Sequence, residues 1–191
     1  MRKVIVTEYV TLDGVMEDPA GTEGSGLGAW SFQFDRGPEG DKFKLDEVLA
    51  SEALLLGRVT YQGFAEAWPS MTDEVGFADK MNSMPKFVVS TTLEEVEWNN
   101  STLITGNVAE EVSKLKQQPG QDILIYGSRQ LVNTLMQHDL IDEYRLMVFP
   151  VVLGKGKRLF KDGSKTTLRL IDTKTFSSGI VLLSYQPTKK E

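Results

Sequence analysis

Short apolar runs recur along the chain and alternate with stretches whose apolar residues follow helical spacing. Runs of this kind, bounded by turn residues, are typical of buried strands, and a spacing of three to four is typical of helices packed on a sheet. The pattern predicts strands over residues 4–10, 53–56, 86–90, 101–104, 122–126 and 143–150. It predicts helices over residues 41–51, 59–65, 72–82, 108–116 and 128–137. Such alternation indicates βαβ units around a parallel sheet.

The last fifth of the chain departs from this alternation. Residues 168–176 and 180–186 read as strands on either side of Ser177-Ser178-Gly179, a good hairpin turn. The predicted fold class is therefore α/β, with a mixed, mostly parallel sheet that ends in an antiparallel hairpin. Residues 21–40 are rich in glycine and show little periodicity, so we expect a long loop there. Asp41 follows this loop and is placed to cap the next helix or to complement its dipole.

Length, composition and charge narrow the class of protein. With 191 residues, 40% of them hydrophobic and 25% charged, we expect one globular domain over residues 1–191. No apolar run or leader pattern predicts a membrane span or export, so we expect a cytosolic protein. The net charge is −6 and the basic residues are scattered, which argues against a nucleic-acid surface. Without cysteine, and with His138 as the single histidine, a zinc site and a Ser-His triad are poorly supported.

Candidate chemistry lies directly after the predicted strands, because ligands of open α/β sheets bind beyond the carboxyl ends of the strands. Four turns of this kind stand out: Leu12-Asp13-Gly14, Gly57-Arg58-Val59-Thr60, Ser90-Thr91-Thr92 and Gly127-Ser128-Arg129-Gln130. A glycine before a helix lets a ligand approach the backbone, and the first turn of the helix offers free N–H groups to an anion. Each turn taken singly is also explained by ordinary turn and capping chemistry. Their recurrence along one sheet edge favours a ligand with several phosphates.

Arg58 is the residue that a plain turn explains least, since it adds a permanent charge with a forked set of donors. Gly24-Ser25-Gly26-Leu27-Gly28-Ala29 fits the dinucleotide pattern G-x-G-x-x-A, but no strand precedes it, so we reject it as a nucleotide-binding fingerprint. A reductase remains compatible with the composition, because in hydride transfer the cofactor supplies the reactive group and the protein supplies orientation and electrostatics.

Several stretches together resemble the dihydrofolate reductase-like superfamily. They are Leu12-Asp13-Gly14, Trp30, "LLLGRVTYQGF" from residue 54 and "ILIYGSRQLVNTLMQHDLIDEYRLMVFPVVLGKGKRLF" from residue 123. The resemblance covers nearly the whole chain and is nearest to the reductase domain of riboflavin-biosynthesis deaminase-reductases and its stand-alone relatives. It implies a three-layer fold with about eight strands, an NADPH cofactor, a small-molecule substrate and a homodimer.

The resemblance also implies roles for individual residues. The adenosine phosphates of NADPH would be held by Gly57, Arg58, Thr60, Ser90, Thr91 and Thr92, with Arg58 on the 2′-phosphate. The pyrophosphate would be met by Gly127, Ser128, Arg129 and Gln130, although Ser128 stands where the family has a second glycine. The substrate pocket would be lined by Thr7, Asp13, Gly14 and Trp30.

Two further assignments stay open at this point. Asp41 aligns near the carboxylate that holds the pterin in dihydrofolate reductases, and helix capping explains it equally. Lys155, Lys157 and Arg158 would meet a substrate phosphate, or else form a solvated turn. The leading hypothesis is an NADPH-dependent reductase acting on a pterin, a pyrimidine or a ribosylaminopyrimidine in the manner of 5-amino-6-(5-phosphoribosylamino)uracil reductases. The alternative is a non-catalytic member of the same fold that binds a nucleotide or flavin-like ligand.

Overall fold

One eight-stranded sheet organises the molecule in the computed structural model, which describes residues 1–188. The strands are β1 (Val4–Thr11), β2 (Ser51–Gly57), β3 (Lys86–Val89), β4 (Ser101–Ile104), β5 (Asp122–Tyr126), β6 (Glu143–Phe149), β7 (Leu168–Thr175) and β8 (Val181–Pro187). The helices are α1 (Gly37–Leu49), α2 (Arg58–Ala67), α3 (Phe77–Ser83), α4 (Val108–Gln117) and α5 (Arg129–Gln137). No helix within residues 1–188 is long and apolar enough to cross a membrane.

The strand order is β4-β3-β2-β5-β1-β6-β8-β7, and the first six strands are parallel. Strand β8 runs antiparallel to both β6 and β7, so the antiparallel C-terminal hairpin is confirmed. The chain leaves β1 for β2, returns to β5 beside β1, and then crosses to β6 on the other side of β1. Sheets that reverse direction in this way open a crevice at the carboxyl ends of the central strands.

The two faces of the sheet carry separate hydrophobic layers. One layer packs side chains of α1, α2 and α3 on the sheet face that includes Ile5, Leu54 and Leu124. The other packs α4 and α5 on the face that includes Val6 and Ile125. Because neighbouring residues of a strand point to opposite faces, the apolar runs of β1, β2 and β5 are buried on both sides. The three-layer α/β class is therefore confirmed.

Two predicted helix boundaries are wrong. Helix α1 begins at Gly37, with Pro38 in its first turn, so the long loop ends earlier than residue 40 and Asp41 lies inside the helix. Proline fits there because the first turn needs no backbone donor. Helix α3 begins at Phe77 because Asp73 accepts hydrogen bonds from four successive backbone N–H groups ahead of the first turn and inside it. Within the predicted loop, Trp30–Gln33 forms a short 3-10 helix.

Candidate active-site cleft

A cleft of about 1560 Å³ lies at the carboxyl ends of the central parallel strands. Its wall includes three of the turns singled out in the sequence, residues 57–60, 90–92 and 127–130. They follow β2, β3 and β5, which are neighbours in the sheet. The structure thus brings together all ten residues predicted to bind the cofactor. A volume above the roughly 300–1,000 Å³ of common ligand pockets leaves room for two ligands side by side.

The turns after β2 and β5 pack directly against each other. The Ser128 hydroxyl accepts a hydrogen bond from the Gly57 backbone N–H at 2.7 Å and lies 3.3 Å from the Thr60 hydroxyl. A methyl group at Gly57 would lie 2.2 Å from the Ser128 Oγ, and one at Gly127 would lie 2.2 Å from the Thr60 Oγ1. Each glycine is thus required by the hydroxyl side chain opposite it. Ser128, at a φ of 65°, occupies the left-handed region that glycine favours.

The other residues predicted to bind the cofactor differ in whether their side chains already have hydrogen-bond partners within the protein. The Ser90 hydroxyl accepts from the backbone N–H groups of Thr92 and Leu93 at 3.1 and 3.0 Å, which is local turn chemistry. Thr91 and Thr92 are exposed on the cleft wall. Arg58 is also exposed, and its one side-chain hydrogen bond within residues 1–188 goes to the Gln62 amide oxygen at 3.1 Å. Thr91 and Arg58 are therefore open to a ligand, whereas the Thr92 hydroxyl also lies 3.4 Å from the Ser90 hydroxyl.

Helices α2 and α5 both begin at the cleft, and each has an arginine as its first residue. Neither helix has an acidic residue in its first turn or a side chain that caps it. A cation at a helix N-terminus opposes the helix dipole at a cost of about 0.3–1 kcal/mol. Arg58 and Arg129 therefore place positive charge at two helix N-termini on the cleft wall, and the Arg129 Nε donates to the Arg158 carbonyl at 2.6 Å.

The floor of the cleft is a buried ionic network around Thr7. The Lys44 ammonium donates to the Thr7 hydroxyl at 2.8 Å and to the Glu47 carboxylate at 2.6 Å. Arg145 reaches the other oxygen of Glu47 at 3.3 Å. Burial lowers the pKa of Lys44, but the Glu47 carboxylate together with Tyr126 and Tyr9 outweighs this, and the pKa ends above its usual value. Thr7, predicted to bind substrate, lies on the cleft wall with its hydroxyl held in this network.

Glu8 and Tyr126 border the same floor, and neither was singled out in the sequence. Glu8 is 7% exposed, and its Oε1 has no hydrogen-bond partner within residues 1–188. Burial raises the pKa of Glu8 to about 8, although Lys44 and the Gly127 backbone N–H oppose the rise. The Tyr126 hydroxyl likewise lacks a partner in the described part of the chain. Burial raises the pKa of Tyr126 as well, and the Lys44 ammonium lies 4.9 Å from its ring centre.

Three of the residues predicted to line the substrate pocket lie outside the cleft wall. Asp13 accepts from the backbone N–H groups of Leu153 and Gly154 at 3.3 and 2.8 Å and from the Thr11 hydroxyl, whose hydrogen bond lowers the pKa of Asp13. Gly14, at a φ of 81°, completes this turn. Trp30 is fully buried between aromatic and aliphatic side chains, and its indole N–H donates to the Glu17 carbonyl at 2.9 Å. These residues hold the loops that border the cleft.

Asp41 lies on the cleft wall, where its carboxylate already has a partner. Its carboxylate pairs with Arg36 at 2.8 Å, and its side chain is 61% exposed. Arg36 also donates to the Tyr9 hydroxyl. Of the basic turn at residues 155–158, only Lys157 lines the cleft, and it pairs with Glu17 at 3.2 Å. The Arg158 side chain instead donates to the Asp13 carbonyl at 3.1 Å.

Comparison with known proteins assigns the chain to a family. The model of the RibD C-terminal domain matches residues 2–182. The chain belongs to the RibD C-terminal domain family. It is 35% identical over 188 residues to YyaP, an uncharacterized protein of Bacillus subtilis (strain 168), with 96% of this chain and 94% of YyaP covered. The predicted family is confirmed.

Solved structures share the fold at lower identity. A protein assigned to riboflavin biosynthesis in Shewanella sp. PV-4 superposes with a TM-score of 0.76 at 20% identity, covering 98% of this chain and 99% of that one. The diaminohydroxyphosphoribosylaminopyrimidine deaminase/5-amino-6-(5-phosphoribosylamino)uracil reductase of Thermotoga maritima superposes with a TM-score of 0.63 at 15% identity. That match covers 98% of this chain and 57% of the Thermotoga protein. The fold is thus that of riboflavin-biosynthesis reductase domains.

Sequence reasoning missed Glu8, Lys44 and Tyr126. One signal for Glu8 was available: β1 was expected to be buried on both faces, so a charged residue inside it should lie in the interior or at a site. Lys44 gave no comparable signal, because a lysine on an amphipathic helix is ordinarily solvated. Tyr126 ends an apolar strand, where a tyrosine is common.

Proposed function

We propose that this protein is an NADPH-dependent reductase that transfers a hydride to a pterin, a pyrimidine or a ribosylaminopyrimidine. One observation carries the proposal: the cleft gathers the turns after β2, β3 and β5, and two of them open helices that begin with an arginine. Family membership supports a reductase of the riboflavin type.

The residues present suit a phosphate-rich cofactor. An anion between the two helix N-termini would accept from free backbone N–H groups and offset the unfavourable placement of Arg58 and Arg129. The cleft wall carries six basic and five acidic side chains, whereas the whole chain has a net charge of −6. These six are Arg36, Lys42, Lys44, Arg58, Arg129 and Lys157. The cleft wall is therefore less negative than the protein as a whole, and the basic side chains at the two helix N-termini, Arg58 and Arg129, make no ion pair within residues 1–188.

The floor of the cleft suits the reacting rings. NADPH, when bound, supplies the hydride. Strand β1 is paired with β5 only as far as Thr7, opposite Tyr126, while its pairing with β6 continues to Thr11. One edge of β1 beyond Thr7 is thus left uncovered, next to the buried Glu8 and the ring of Tyr126. Free main-chain groups at this edge would orient a flat ring, and the enclosed floor would exclude water from the reaction.

The direct test is a comparison of NADPH and NADH binding to the wild type and to Arg58→Ala. Hydrogen bonds to charged groups contribute about 1.5–3 kcal/mol, so loss of a 2′-phosphate contact at this exposed site should weaken NADPH binding about tenfold and leave NADH binding nearly unchanged. Arg169→Ala is the matched control, because Arg169 is exposed on β7 outside the cleft wall and its side chain donates to the Gln186 amide oxygen across the hairpin. An unchanged NADPH-to-NADH ratio in Arg58→Ala would refute the assignment of Arg58.

Turnover separates the reductase from the non-catalytic alternative. If the protein is a reductase, NADPH should be oxidised when 5-amino-6-(5-phosphoribosylamino)uracil or dihydrofolate is added. The loss of absorbance of the reduced nicotinamide measures this oxidation. Tight NADPH binding without oxidation by any pyrimidine or pterin would favour a member of the fold that only binds its ligand.

We also propose that the protein forms a homodimer, as the family resemblance implies. Strand β7 is the edge of the sheet, and its Leu170 and Ile171 side chains are exposed to 48% and 37%. An exposed apolar edge strand is a surface that proteins ordinarily cover. Light scattering should give twice the chain mass, and Leu170→Lys should shift the protein to the monomer. A monomeric wild type would refute this proposal.

A further inference from the structure

Glu8 is a buried acidic residue that has no role in the proposed binding of the cofactor. It lines the cleft, is 7% exposed, and keeps its Oε1 without a hydrogen-bond partner within residues 1–188. An unsatisfied buried polar atom costs free energy of folding, and natural interiors seldom retain one without a reason. The position of this carboxyl therefore points to a task in the cleft.

The backbone places Glu8 at the point where two strands part. Its neighbour Thr7 is the last residue of β1 paired with β5, and the Gly127 N–H of the following turn lies beside the Glu8 carboxyl. Glu8 thus lies between the cofactor-binding turn at Gly127 and the ionic floor around Lys44. A group held on rigid strands at this junction can contact a substrate that lies against the cofactor.

Charged groups from two elements act on Glu8. Lys44 and Glu47 face it from α1, and Glu23 faces it from the loop before α1. Burial, helped by the two carboxylates, outweighs Lys44 and the Gly127 backbone N–H, so the pKa of Glu8 rises to about 8. At neutral pH the side chain therefore carries a proton that it can release. A general acid works best when its pKa is near the working pH.

We propose that Glu8 is a catalytic residue whose carboxyl donates the proton that completes reduction of a C=N bond in the substrate. This rests on the reductase function proposed above. The substrate carbon accepts the hydride and gains a C–H bond, and the π electrons of the C=N bond move to nitrogen. That nitrogen takes the proton of Glu8 as the O–H bond breaks. The products are the amine, the oxidised nicotinamide and a Glu8 carboxylate, which regains a proton from water before the next turnover.

The other acids of the floor and rim are less suited to this step. Asp41 is exposed and paired with Arg36, and Glu47 is held by two cations. Tyr126 keeps its proton too firmly, because burial raises its pKa above the usual value. Glu8 is thus the acid of the floor whose proton is present and available.

The test compares Glu8→Gln, which keeps the shape but cannot donate an acidic proton, with the wild type. General-acid catalysis contributes about 10²–10⁴-fold, so kcat with dihydrofolate or the ribosylaminopyrimidine should fall at least 100-fold while the NADPH dissociation constant stays within about threefold. The wild-type rate should fall above about pH 8, and the variant should lose this pH dependence. Glu66→Gln is the matched control, since Glu66 is exposed on α2 outside the cleft wall. Tyr126→Phe should retain most of the rate.

A second readout needs no turnover. In protein labelled with carboxyl-¹³C glutamate, the NMR signal of Glu8 is identified as the one that disappears in Glu8→Gln. Its chemical shift should titrate between about pH 7 and 9. A titration below pH 6, or kcat of Glu8→Gln within threefold of wild type, would overturn the assignment. A large loss of rate in Tyr126→Phe alone would transfer the role to Tyr126. Absence of NADPH binding would instead overturn the reductase function, and the catalytic role of Glu8 with it.

Discussion

The close packing of the turns after β2 and β5 makes Gly57→Ala an informative substitution. The backbone at Gly57 is extended, with φ −83° and ψ 169°, so alanine is compatible with it and any cost is steric. The added methyl would lie 2.2 Å from the Ser128 Oγ and 2.7 Å from its Cβ, so the turns must move apart. Overpacking costs about 1–3 kcal/mol, and loss of the hydrogen bond from Gly57 to Ser128 adds about 0.5–1.5 kcal/mol. We expect the free energy of unfolding to fall by about 2–4 kcal/mol.

Removing the opposing side chain should rescue this variant. Without the Ser128 side chain the nearest atom of that residue to the new methyl is its Cα, at 3.8 Å, an ordinary contact. Ser128→Gly alone loses the hydrogen bond but suits the positive φ, so its effect should stay within about 1 kcal/mol. Urea unfolding of both single variants and the double variant should give a coupling energy of about 2 kcal/mol or more. Additive effects, or a stable Gly57→Ala, would refute the packing explanation.

Three further substitutions test the buried charges of the structure. In the folded protein Glu8 keeps its proton up to about pH 8, whereas a glutamate in the unfolded chain loses it near pH 4.5. The folded state therefore binds more protons between these two values, and the free energy of unfolding falls as the pH rises through them. Glu8→Gln should remove this fall, roughly 4 kcal/mol between pH 5 and pH 9 in urea titrations, and equal pH slopes would contradict it. Lys86→Met should cost about 3 kcal/mol or more in thermal unfolding, since three carbonyls lose the fully buried donor that they share, whereas the exposed Lys114→Met should change stability by about 0.5 kcal/mol at most. Lys44→Met should cost about 3 kcal/mol, because Glu47 would stay buried with one cation, and a Glu47→Gln background should reduce that cost.

Much of the fold could be predicted because strand and helix signals in this chain are local. Apolar runs such as Leu54–Leu56 are long enough for strands, and the residues after them are compatible with helix starts. Parallel strands share one carboxyl edge, so the turns at Gly57, Ser90 and Gly127 had to lie near one another. The start of α1 was missed because a run of glycines hides Pro38, which fits the first turn of a helix.

The particular contacts of the site could not be predicted in the same way. The packing of Gly57 against Ser128 joins residues 71 positions apart, and only the order of the strands brings them together. Trp30 lies in a glycine-rich segment that gives no sign of which core will bury it. Glu8 owes its raised pKa to burial, and that burial comes from tertiary packing around the end of the β1–β5 pairing rather than from local sequence.

The central claim is that the three turns together hold NADPH, and mapping of NADP⁺ by backbone amide chemical shifts tests it most directly. We predict saturable shifts at residues 57–60, 90–92 and 127–130, with no change at His138, which is exposed at the end of α5 away from the cleft wall. Shifts confined to other surfaces, or none at millimolar NADP⁺, would contradict the account.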